Sequence, residues 1–124
     1  SSAASDVYKR QLVDYDLLTG RKRDQRCVAR VAVSENTLTI DGEGSGPIEA
    51  FVTALGETLN EPVTIQSFQE VAIGTGSDAQ AICIVSIEDR EEGQRCYGIG
   101  LSRNTTTTAL NAIISAMNRR WSKT

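Results

Sequence analysis

From Val13 to Leu17 apolar and acidic side chains alternate, with Tyr15 between Asp14 and Asp16, which predicts a half-buried strand ending at Thr19-Gly20. Cys27, Ala29, Val31 and Val33 continue the two-residue period and predict a second strand over about Arg26 to Val33. Ser34-Glu35-Asn36 reads as a tight turn, with Asn suited to the left-handed conformation, and Leu38 and Ile40 carry a third strand to Asp41. The period then changes. Ile48, Phe51, Val52, Leu55 and Leu59 form one helical stripe, opened by Gly46 as cap and Pro47 at the first helical position and closed by Asn60-Glu61-Pro62. The order then recurs: strands over Thr64 to Ile73, Ala79 to Ile87 and Arg95 to Leu101, a charged hairpin from Glu88 to Gln94, and a helix from about Thr106 to Trp121.

The recurrence is visible residue by residue. Gly42 and Gly44 map onto Gly98 and Gly100 at a shift of 56 positions, which also carries Gly20 onto Gly76, Leu17 onto Ile73, Tyr15 onto Val71 and Cys27 onto Cys83. The helical stripe maps onto Leu110, Ile113, Ile114, Met117 and Trp121 at a shift of 62, so about six residues are added after the second glycine pair. Two βββα copies predict an α+β, two-layer, pseudo-twofold domain, with unit one about 12–60 and unit two about 63–121. Residues 1–11 have no period and are expected to be a disordered or non-native lead-in.

Composition narrows the function. With 124 residues, 40% hydrophobic and 23% charged, the chain is expected to be one ordinary globular domain, without a membrane span, in the cytoplasm. The three cysteines form no CxxC pair and read as buried reduced thiols. A net charge of -3 disfavours a nucleic-acid module, and Arg21-Lys22-Arg23 reads as a solvated turn. The absence of histidine removes Ser-His and Cys-His catalysis and the His-rich zinc sites, so a free-standing enzyme, a metal or a cofactor is not expected.

Two segments can carry a ligand. In Gly74-Thr75-Gly76-Ser77-Asp78-Ala79-Gln80-Ala81 the glycines permit a close backbone approach, successive N–H groups can hold an anion, and Asp78 can accept from an ammonium group. The same segment also works as a plain strand connection with Asp78 closing the turn. Gly42-Glu43-Gly44-Ser45-Gly46-Pro47 lacks the βαβ setting of a dinucleotide fingerprint. The inserted Ser102-Arg103-Asn104-Thr105-Thr106-Thr107 reads either as loop variation or as a pocket lining.

Gly42 to Ala50, Gly76 to Ala81, Gly98-Ile99-Gly100 and Ala112 to Asn118 together resemble the C-terminal regulatory (LeuA dimerisation) domain of 2-isopropylmalate synthase, shared with citramalate synthase, over about residues 12 to 121. The resemblance implies a homodimeric domain that binds leucine, or isoleucine in the citramalate case, for feedback inhibition. It further implies a partner TIM-barrel catalytic domain with an HxH metal motif, for which this chain has neither the histidines nor the ~250 residues. The effector-binding residues implied are Gly76, Ser77, Asp78, Ala79, Gln80 and Ala81, with Gly44, Gly46 and Pro47 at the first helix start. The preceding strand reads Ser67-Phe68-Gln69-Glu70 where relatives often carry tyrosine. A purely structural dimerisation module and a double-stranded RNA-binding domain are the rival readings. The RNA reading is weak because the last helix has cations only at its end, Arg119, Arg120 and Lys123.

Overall fold

The computed structural model describes residues 9–60, 62–89 and 93–122. It contains two compact units that divide between Thr64 and Ile65. In the first, β1 (Arg10–Thr19), β2 (Gln25–Val33) and β3 (Asn36–Gly44) form an antiparallel sheet in that order, followed by α1 (Pro47–Leu59). In the second, β4 (Ile65–Ile73), β5 (Gln80–Glu88) and β6 (Arg95–Ser102) repeat the arrangement, followed by α2 (Thr105–Ser122). The α+β class and the doubled βββα order are therefore those the periodicities predict.

β1 takes in Arg10 and Gln11, which were expected to lie in the lead-in; residues 1–8 lie outside the described residues. A bulge between Leu12 and Asp14 changes the phase, so Leu12 pairs with Val31 while Val13, expected to face inward, is 57% exposed. The β2–β3 turn is two residues long, and its left-handed position is Ser34 (φ 58), whereas Asn36 already belongs to β3. Asn60 does adopt the left-handed conformation, capping α1 with its N–H donated to the Gly56 carbonyl. Gly93 (φ 84) closes the β5–β6 connection, whose residues 90–92 lie outside the described residues.

Each core is built on contact between glycines of a strand and the backbone of a helix. A Cβ on Gly42 would overlap the backbone of Ala50 and Ala54, and one on Gly98 would overlap Ala112 and Ala116. Gly44 and Gly100 face Ala50 and Ala112 in the same way. So the 62-residue shift of the helices holds at the level of contacts, and the face laid on the glycines is the alanine face. Phe51, Leu55, Leu110, Ile113 and Met117 from the predicted stripes are fully buried as well.

The strand shift does not hold everywhere. Cys27 pairs with Gly42, but Cys83 pairs with Gly100 and it is Val85 that pairs with Gly98. The two cysteines thus occupy places two residues apart in the shared frame. Both remain buried, because a slip of two preserves the face of a strand. The slip lengthens one end of the second unit. Opposite Gly44 the β1–β2 hairpin ends at the Thr19–Gln25 pair, whereas beyond the Cys83–Gly100 level the β4–β5 hairpin adds three pairs, Val71–Ile82, Ala72–Ala81 and Ile73–Gln80.

Candidate functional site

At that extended end the chain turns through Gly74 (φ 87) and Gly76 (φ 64). Both values are in the left-handed region, where any side chain other than glycine's is strained. Gly76 to Asp78 form one 3-10 turn, closed by the Ala79 N–H donating to the Gly76 carbonyl at 3.2 Å. Nothing lies within 4 Å of where a Gly76 Cβ would point, so the turn is open on that side. Ser77, Asp78 and Gln80 are exposed, Ala79 is half-buried, and Ala81 enters the core.

The added residues meet this turn. Ser102 pairs with Ala81, and Arg103 Nη2 lies 3.9 Å from Asp78 Oδ1. With the two side chains 70% and 90% exposed, this ion pair is worth little and leaves both groups accessible. Asn104 caps α2, its Oδ1 accepting from the Thr107 N–H at 3.0 Å. Thr108 is buried beneath them, with its hydroxyl 2.9 Å from the Asn104 carbonyl, 3.3 Å from that of Ser102 and 3.4 Å from that of Ala81. One hydroxyl proton serves one carbonyl at a time, and the i−4 bond to Asn104 is the shortest. The helix start, the end of β6 and the start of β5 are therefore tied at one point.

The insertion, read as loop variation or as a pocket lining, is divided between helix and connection. Ala50 is the fourth residue of α1, and its counterpart Ala112 is the eighth of α2. The remaining two residues lengthen the connection, from Ser45-Gly46 to Leu101-Ser102-Arg103-Asn104 after the second glycine. The helix start expected at about Thr106 lies within one residue of the observed Thr105, and Asn104 is recognisable as its cap only once that start is placed.

Gly44, Gly46 and Pro47 lie in the first unit. Gly44 is buried against α1, Gly46 precedes the helix in extended conformation without a side-chain cap, and Pro47 is the first helical residue. Close by, Thr19, Gly20, Arg21, Arg26, Asp41 and Glu43 line a polar crevice of about 400 Å³. Its walls satisfy one another. Arg21 N–H donates to Glu43 Oε1 at 2.5 Å, and Arg26 holds Asp41 through Nε at 2.9 Å and Nη2 at 2.5 Å. That bidentate bond holds the Asp41 carboxyl below its ordinary value. Burial pushes the Cys27 and Cys83 thiols up to about 11, which makes them inert as nucleophiles. Of the cations at the end of α2, Arg120 is buried, with Nη1 donating to the Glu88 carbonyl at 3.0 Å, while Arg119 is exposed. Among the described residues no helix is long and apolar enough to cross a membrane.

A duplicated βββα domain with one copy specialised at its hairpin tip is the class these features define. The family model of the LeuA allosteric (dimerisation) domain matches residues 2–121, and the chain belongs to that family. It is similar to the 2-isopropylmalate synthase of Brucella suis biovar 1 (strain 1330), at 32% identity over 111 residues, covering 88% of this chain and 20% of that protein. The 2-isopropylmalate synthase of Rhodospirillum rubrum is 36% identical over 97 residues, covering 77% of this chain and 17% of the relative. That of Mycobacterium ulcerans (strain Agy99) is 38% identical over 91 residues, or 73% and 16%. The chain spans about a fifth of the length of the relatives it matches.

Proposed function

We propose that the chain is the regulatory domain of a 2-isopropylmalate synthase and that its second unit binds leucine, or a related branched-chain amino acid, as a feedback signal. The observation that carries this reading is the meeting of the open glycine turn, Arg103, Asp78 and the start of α2 at one end of the unit. An amino acid needs a partner for each charge and room for its side chain. Backbone N–H groups of the glycine turn hold the carboxylate, with Arg103 within reach, and Asp78 accepts from the ammonium group. Ala72 and Ala79 leave space for a branched side chain, worth about 1.5–3 kcal/mol when fully buried. Gly44, Gly46 and Pro47, also implied by the family resemblance, belong to the helix start of the first unit. The bound state differs in affinity between two arrangements of a homodimer, and a partner TIM-barrel domain senses the difference.

Calorimetric titration with leucine, isoleucine and valine tests this. Saturable heat and a raised Tm with one of them are expected, and Asp78→Ala weakens that binding several-fold with the fold intact. No heat and no change in Tm with all three would leave a purely structural dimerisation module. Preference for isoleucine over leucine would favour the citramalate synthase branch of the resemblance.

A further inference from the structure

We propose that the outer face of the second sheet, the face turned away from α2, is where two copies of this chain associate, each presenting the same face to the other. The proposal rests on the reading of the chain as a dimerising domain and names its surface. The pairing registers place Gln69, Ile84 and Ile99 in one row of that face and Val71, Ile82 and Leu101 in the next; in a third row Tyr97 is exposed beside Ser86, which is buried. Val71 is 48% exposed, Ile84 39%, Tyr97 50%, Ile99 58% and Leu101 54%, and Ile73 extends the patch at 47%. Together with the half-buried Ile82 they form a contiguous apolar patch rimmed by polar residues, the kind of exposed surface that marks a protein–protein contact.

Charge selects the occupant. The three rows contain no ionisable group except the phenol of Tyr97, and the Glu88–Arg95 pair enters only at one end, where a polar rim is expected. The first sheet is a poor match. Its outer face holds Arg26, Arg30, Asp14, Asp16 and Asp41, already paired with one another, and covering them would strip water from ions without new partners. A second copy of the apolar face has no such cost, and a twofold contact requires one surface that complements itself.

Sedimentation of the full chain and of Ile99→Glu, Tyr97→Lys and Thr39→Glu tests the assignment. Thr39 sits opposite Arg30 on the outer face of the first sheet and serves as the control. The expected result is a dimer for the parent chain and Thr39→Glu. For Ile99→Glu the dimer dissociation constant should rise by roughly two orders of magnitude, with the far-ultraviolet spectrum unchanged. If Ile99→Glu does not fold, Tyr97→Lys decides by the same measurement. A dimer that survives both substitutions, or that Thr39→Glu breaks equally, overturns the face while dimerisation stands. A parent chain that is monomeric overturns the dimerising reading itself, whatever calorimetry says of leucine.

Discussion

On the face of the first sheet turned away from α1, Arg26 grips Asp41 and Arg30 bridges Asp14 and Asp16; on the same face of the second sheet stand Val71, Ile84, Tyr97, Ile99 and Leu101. The inner faces are alike, with glycines of the third strand laid on alanines of the helix in both units. A strand assigns alternate residues to opposite faces, so one set can be held fixed by packing while the other diverges. The inner set explains why both units fold alike. The outer set is where they differ, an ionic surface in one and an apolar surface in the other.

The most damaging way to break the likeness is to fill the glycines. Gly42→Ala and Gly98→Ala should each cost about 3 kcal/mol or more in denaturant unfolding, since the new methyl meets helix backbone that cannot rotate away. Comparable losses in the two variants would confirm equivalent frames; a loss in one alone would break the equivalence. The helix starts sharpen the contrast at smaller scale. Asn104→Ala removes a side-chain cap and should cost about 1 kcal/mol, while Gly46→Ala, with open space at its Cβ and no side-chain cap to lose, should cost less.

The strand cysteines give a milder, shared response to alkali. Burial raises both thiols to about 11, so each favours the folded state below its ordinary value near 9. That stability is lost as pH climbs from about 9 towards 11, and a Cys27→Ala/Cys83→Ala variant should show a flatter profile over that range. The smallest effect concerns the first unit alone. Asp41 is held below its ordinary carboxyl value by the hydrogen bond from Arg26, so its contribution is present above about pH 4 and fades as pH falls further. Arg26→Gln should abolish that acid dependence, and high salt should weaken it, because the pair is exposed.

Much of this frame was legible in the chain because it depends on local period. Alternation and helical stripes located all six strands and both helices, and the Gly-x-Gly pairs marked the strands that lie under helices. What escaped depends on pairing. The bulge that exposes Val13 and the two-residue slip that separates Cys27 from Cys83 leave the alternation almost unchanged. The burial of Arg120 was not legible because its partner, the Glu88 carbonyl, is remote in sequence. The strands of the second sheet were read without assigning their faces, and nothing local distinguishes an outward Ile99 from an inward Ile113. Within the candidate site the turn was visible from its glycines, but its junction with Arg103 and the helix start was not. That junction exists only once β5 lies beside β6.

The extra turn of α2 has a consequence in reach. Four residues advance a helix by about 6 Å and return it almost to the same angle, so Ala112 and Ala116 still meet Gly98 and Gly100. The three added strand pairs carry the β4–β5 tip about 10 Å the same way. Two residues in place of four would have turned the alanine face by about 200°, away from the sheet. Length at this end therefore comes in whole turns: an engineer wishing to raise or lower the tip should add or remove four residues of helix together with matched strand pairs, and leave the glycines where they are.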